Sequence, residues 1–294
     1  MRRNQSVWLF KSREMKIALL GMDDMGDQIS DDHLLSLALK SKGHHVEEPS
    51  WRADLNWSQF DAVVIRETWD YHLHIDEFIP ALERIEASGT QLLNPINIVK
   101  WNSDKRYLKE LESKGVKIVP TIFLDQLNVV DLDNSFDVFG EKLIVKPVIS
   151  ANSLNTIITE EGDTEALNVF MDEPCIIQPF LESIHSVGEY SLYFFEGNFS
   201  HAIVKKPKAG DFRVQEDFGG TQRSIVPSEK LMQAAKEVVQ YLPEGTFYAR
   251  VDLLPDANED FVLMELELIE PGMYFRFCDN AAENFANAIE TKLS

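Results

Sequence analysis

A chain of 294 residues, 44% hydrophobic and 26% charged, has the apolar content of a folded globular protein and is long enough for two or three subdomains. Its 49 acidic against 28 basic residues give a formal charge of -21, a field that argues against nucleic acid or an anionic membrane as the main partner. Cys175 and Cys278 stand far apart with no CxxC, which suggests neither a disulfide framework nor a zinc site and fits a reducing cytoplasm.

The start, "MRRNQSVWLFKSRE", is basic, but its apolar run "VWLF" is too short for a signal-peptide core, so residues 1–14 read as an extension ahead of a first strand. No later run reaches the roughly eighteen apolar residues that a membrane helix needs. From "KIALLG" the pattern alternates: a helix around "DDHLLSLALKSKG" with Gly43 as its C-cap, strands "HHVEEP" and "DAVVIRE", a helix at "DEFIPALERIEASG", then "QLLNP". Residues 15–97 are therefore expected to form an N-terminal α/β subdomain on a parallel sheet. Ligands of such sheets lie beyond the carboxyl ends of the strands, where "RETWDYH" emerges. Arg66 and Asp70 in that loop are candidate substrate contacts, Arg66 as a bidentate clamp on a carboxylate.

Past "LNP" a helix is expected from near Asn102 through "WNSDKRYLKELESKG", followed by "VKIVP", a looser segment through 140, and buried strands at "KLIVKP" and "CIIQPFL". These make a central subdomain over 98–186, and a C-terminal α+β subdomain runs over 187–294. In the hairpin "FYARVDLL", "PDANED", "FVLMELEL", strand alternation puts Arg250 and Asp252 on one face of the first strand, and Glu265 and Glu267 on one face of the second. If the register brings those faces together, three carboxylates gather beside an arginine. Hard oxygen donors of that kind select magnesium over zinc or copper. Lys105, Lys146, Lys205, Lys206 and Arg213 stand on a helix or at strand ends, where a phosphate chain could lie.

The ordered set "DK", "IVKP", "IIQPFL", "GEYS", "GDFRVQEDFGG", "RVDLL" and "MELELIEPG" resembles the ATP-grasp superfamily of carboxylate-amine ligases. The likeness runs from about residue 94 to the end and is nearest to the glutathione-synthetase-like, ribosomal-protein-S6-modifying and cycloserine-biosynthesis ligases. "RETWDY" is similar to the N-terminal part of the last branch. The resemblance implies an α/β and α+β ATP-grasp fold with an N-terminal parallel-sheet subdomain. It implies a cytoplasmic, ADP-forming enzyme using ATP and two Mg2+ ions, with Mn2+ as a substitute, to activate a small-molecule carboxylate and join it to an amine. The alternative is an ATP-binding module without turnover, and a homo-oligomer stays open.

Carried over by position, the resemblance assigns Lys105 and Lys146 to the ATP phosphates. The Pro179 carbonyl and Leu181 amide, with Gln178 beside them, would take the adenine, and Glu189 the ribose. Lys205, Arg213 and Arg250 would face the transferring phosphoryl group, and Asp252, Glu265 and Glu267 would hold the metal. Gly219 and Gly220 of "DFGGT" would border the substrate. Two departures stand out: Glu267 replaces the usual Asn of the metal strand, and "VISANSLNT" lacks the glycines common in the phosphate-covering loop.

Overall fold

The computed structural model of the protein describes residues 13–294, so all but the last two residues of the expected extension lie outside the described residues. From Lys16 the chain forms β1 (Lys16–Gly21), α1 (His33–Ser41), β2 (His45–Glu47), β3 (Ala62–Glu67), α2 (Ile75–Ala87) and β4 (Gln91–Leu93). The strands pair in the order β2-β1-β3-β4, every pair parallel. A parallel neighbour can be reached only by a crossover, which the alternating helices supply. Strands β1 and β3 are continuous apolar runs because both faces are covered, Ile17 and Val64 packing to one side, Leu20 and Ile65 to the other. Gly43 closes α1 at φ 92°, backbone that a Cβ would strain.

Where the sequence predicts one helix there are two, α3 (Ile96–Asn102) and α4 (Tyr107–Ser113). The Asn102 side chain donates to the Leu266 carbonyl and accepts from the Leu268 N–H, and the Asp104 carboxylate accepts from the Arg106 N–H. Side chains that bond to backbone in this way compete with helix continuation. Lys105 therefore sits in a turn, and α3 and α4 pack on the last sheet through Ile98, Leu108 and Leu111.

A small antiparallel sheet follows, from β5 (Ile122–Leu124), α5 (Val129–Phe139), β6 (Lys142–Pro147), β7 (Ile157–Glu160), α6 (Glu165–Phe170) and β8 (Cys175–Pro179), in the order β5-β8-β6-β7. It has its own core, including Leu132, Leu143, Val145 and Phe170. After α7 (Ser183–Ser186) come β9 (Glu189–Phe195), β10 (Asn198–Lys206), β11 (Thr221–Ser224), α8 (Glu229–Val239), β12 (Tyr248–Pro255), β13 (Phe261–Glu267) and α9 (Ala281–Leu293). Their strands form an antiparallel sheet ordered β11-β10-β9-β12-β13. β9 is buried on both faces: Tyr193 and Phe195 join a core shared with the first sheet and α9, while Leu192 and Phe194 join one with α3, α4 and α8. Among the described residues no helix is long and apolar enough to cross a membrane.

First and last sheets are pinned together. The Asn94 side chain donates to the carbonyls of Tyr248 and Leu268 at 2.9 and 2.8 Å and accepts from the Phe247 N–H. The Tyr248 hydroxyl lies between the carbonyls of Ile65 and Ile269, at 3.0 and 2.6 Å. Arg66 is buried in the same junction, 1% exposed. It donates to both carboxylate oxygens of Asp32 at 2.6 and 3.2 Å and to the Pro271 carbonyl at 2.7 Å.

The substrate clamp expected of Arg66 is thus corrected. The start of α1 brings Asp32 to the end of β3 and occupies the fork, and Arg66 does not line the cavity described below. Asp70 is likewise taken, by the Trp51 indole at 2.8 Å and by Arg52 at 2.5 Å. Arg66→Lys keeps the charge but loses the fork. It is expected to lower the melting temperature by several degrees, since a lost charged hydrogen bond costs about 1.5–3 kcal/mol. Nucleotide affinity should stay within about twofold, far below what losing such a bond to the ligand would cost. Unchanged melting with lost carboxylate binding would restore the clamp.

Candidate active site

Along one face of the C-terminal sheet, apolar side chains give way to charged ones at two-residue intervals. Tyr248 leads to Arg250 and Asp252 on β12, Tyr193 to Ser191 and Glu189 on β9, and Ile203 to Lys205 on β10. The register sets Arg250 opposite Tyr193 and Glu267, Asp252 opposite Ser191 and Glu265, and Lys205 opposite Glu189. The two hairpin faces do meet.

Their charges interlock. Arg250 donates to Asp252 through Nε and Nη2 at 2.8 to 3.1 Å, and its Nη2 also reaches Glu267. Lys205 pairs with Glu189 and lies 3.8 Å from Asp252, which also accepts from the Ser191 hydroxyl at 2.5 Å. Burial alone would raise the Asp252 carboxyl, but Arg250 and Lys205 beside it hold it below the ordinary carboxylate range. Burial pushes Glu267 up to about 7, Arg250 offsetting only part of it while Glu265 and Asp252 add repulsion. Lys206, on the opposite face, is turned outward to the Ser186 carbonyl.

The facing wall comes from the α3–α4 turn and the small sheet. Lys105 Nζ donates to the Ser150 carbonyl and hydroxyl at 2.8 and 3.1 Å and lies 3.3 Å from Glu265. Lys146, on β6, is 8% exposed and, among the described residues, has neither an ion pair nor a hydrogen bond for its ammonium group. Burial lowers its pKa. Gln178 donates to the Thr121 hydroxyl at 2.9 Å. Arg213 is braced by Asp211 at 2.7 and 3.0 Å and lies 3.9 Å over the Phe218 ring.

Lys105, Lys146, Gln178, Pro179, Leu181, Glu189, Lys205, Arg213, Arg250, Asp252, Glu265 and Glu267 all border one cavity. Gly219 and Gly220 do not. A Cβ on Gly220 would meet the Val214 carbonyl oxygen at 2.2 Å, so close backbone approach, not substrate contact, accounts for it. The glycine-poor loop after β6 turns through Asn152, Ser153 and Asn155, all at positive φ, and Asn is the side chain that best tolerates this backbone after glycine.

Sequence reasoning passed over part of the wall. Arg276 pairs with Asp31 at 3.2 Å and with Glu216, joining the first subdomain to the loop that carries Arg213. Ser191 stood in the quoted "GEYS" and could have been found from the alternation that found Asp252. Glu270, in "LIEPG", is 6% exposed and borders the cavity. Burial, with Glu267 nearby, pushes it up to about 8.

A carboxyl whose folded pKa lies above its unfolded value adds stability only at low pH, and that contribution is lost as pH rises through about 8. Glu270→Gln is therefore expected to melt several degrees higher than wild type at pH 9, with little difference at pH 4.5. Parallel melting curves at both values would refute the buried, cation-free carboxyl.

Asp252, Glu265 and Glu267 are hard oxygen donors with surplus negative charge, which suits a divalent cation. As they stand, Arg250 spans Asp252 and Glu267, and Lys105 holds Glu265. Among the described residues no group of three His, Cys, Asp or Glu side chains is gathered around one point.

The three-sheet architecture is the fold of the ATP-grasp ligases, and the similar proteins support ATP-dependent carboxylate-amine ligation. The family described as the N-terminal domain of the D-cycloserine synthetase DcsG matches residues 17–94. The cycloserine biosynthesis protein DcsG of Streptomyces lavendulae is 29% identical, over 87% of this chain and 91% of that protein. A crystal structure of the D-cycloserine synthetase DcsG superposes with a TM-score of 0.85 at 27% identity, covering 95% of this chain and 100% of that one. The D-alanine–D-alanine ligase of Bacillus anthracis shares the fold, with a TM-score of 0.65 at 16% identity over 95% of this chain and 100% of that one.

Proposed function

We propose that the protein phosphorylates a small-molecule carboxylate with ATP, holds the acyl phosphate in this cavity, and lets an amine displace phosphate from it. The face-to-face register of Arg250 and Asp252 with Glu267 and Glu265 carries the reading, because it gathers anionic and cationic groups where one cavity opens. Lys105 and Lys146 are assigned to the phosphates. Gln178, Pro179 and Leu181 are assigned to the adenine, and the Leu181 N–H, which donates to no protein acceptor among the described residues, supports this. Glu189 is assigned to the ribose.

Asp252, Glu265 and Glu267 would hold two Mg2+ ions, which supply charge neutralisation to the transferring phosphoryl group. Arg250, Lys205 and Arg213 would stabilise the same developing charge. Their mutual bonds keep these side chains oriented before substrate arrives, the preorganisation on which such electrostatic stabilisation depends. No protein nucleophile is required. Free Cys175 and Cys278 agree with a cytoplasmic setting.

A panel of amino acids, hydroxy acids and dipeptides, assayed for ADP release with Mg2+ and with hydroxylamine as the trapping amine, tests the reading. Hydroxamate formed in step with ADP is expected for at least one carboxylate. Tight Mg-ATP binding with no carboxylate-stimulated ADP release would point instead to a binding module without turnover.

A further inference from the structure

Two buried titratable side chains on the cavity wall, one basic and one acidic, have no ion-pair partner among the described residues. One is Lys146, which the ligase reading assigns to phosphate. The other is Glu270. Its carboxylate pairs with no cation among the described residues and, beyond its own backbone N–H, has no hydrogen-bond donor. Every other carboxylate on the wall except the exposed Asp217 meets an arginine or lysine.

The backbone around Glu270 is fixed. The Trp69 indole donates to its carbonyl at 3.0 Å and Arg66 donates to the next carbonyl, of Pro271, at 2.7 Å. On this anchored backbone the carboxyl group is buried, borders the cavity and has no protein cation among the described residues to offset it. Retaining an uncompensated carboxylate there costs stability, and a ligand bearing the missing cation offsets that cost.

We propose that Glu270 receives the ammonium group of an amino-acid substrate. This rests on the ligase reading and names the chemical group that the cavity recognises. Trp69 and Tyr71 border the same cavity and give the ammonium group aromatic neighbours. Lys146, Glu265 and Glu270 border the same cavity, so the phosphate contact and the ammonium contact fall within it together. The substrate so defined carries its ammonium group just past the carboxylate-rich end of β13.

The test uses the full-length protein with Mg-ADP. Calorimetry compares each common amino acid, in both hands, with the 2-hydroxy acid that shares its side chain. At least one amino acid is expected to bind about tenfold or more tightly than its hydroxy counterpart, the factor a charged hydrogen bond supplies. Glu270→Gln should abolish that preference while leaving ADP affinity within about twofold, well short of a lost charged contact. Glu270→Asp should recover part of the preference. If no amino acid outperforms its hydroxy acid, or if Glu270→Gln keeps the preference, the proposal fails. The wild-type comparison decides the matter even if a variant does not fold. Wild type that binds no Mg-ADP would overturn the ligase reading itself, a result separable from the loss of amino-acid preference alone.

Discussion

Lys146→Ala is expected to weaken ATP binding by about tenfold to a hundredfold, with the melting temperature of the ligand-free protein unchanged or raised. The lysine is buried on β6 without a protein partner, so the fold gains no ion pair from it and bears its desolvation. A charge-assisted hydrogen bond to a phosphate oxygen is worth about 1.5–3 kcal/mol, which sets the range. Lys206→Ala is the matched control, because that ammonium group points outward to the Ser186 carbonyl. Calorimetric titration of both variants with a non-hydrolysable ATP analogue decides it. Equal losses would mean that bulk positive charge, and not the placement of Lys146, holds the nucleotide.

Arg250→Met should have the opposite profile, destabilising the protein and abolishing turnover together. The guanidinium bridges Asp252 and Glu267, and removing it strands two carboxylates at the cavity floor. Breaking a buried ion pair from one side costs about 3–5 kcal/mol. Mg2+ should return part of the lost stability, since the freed carboxylates are its proposed ligands. Thermal denaturation of the variant with and without millimolar MgCl2, beside ADP release, separates the two losses. A variant as stable as wild type in EDTA would show that Asp252 and Glu267 do not depend on Arg250.

The cavity-facing positions on the C-terminal sheet were legible because strand alternation is a local rule: Arg250, Asp252, Glu265 and Glu267 follow from period two, as does the contrast of Lys205 with Lys206. Which groups a side chain meets from elsewhere is not local. Arg66 stands at the end of its strand as expected, yet Asp32, thirty-four positions away, takes its fork. Lys105 was read as helical because nothing in "WNSDKRYL" shows that Asn102 will bond to β13 and break the helix there. In the sequence Glu270 is marked by nothing beyond its place before Pro271 and Gly272. Its chemistry comes from what is missing around it, and absence of a partner leaves no mark in a sequence.

Asn94 has a mechanical consequence. By tying the end of β4 to β12 and to the residue after β13, it makes the parallel sheet and the larger antiparallel sheet a single anvil. The small sheet, with its separate core, is the hammer. Its only covalent handles are the segment entering β5 and the one leaving β8. A swing of residues 122–179 about those two handles would open the cavity to nucleotide while leaving the carboxylate rows stationary beneath it. Severing the Asn94 bonds would let the floor move as well, and catalytic distances would blur without any change in the residues that set them.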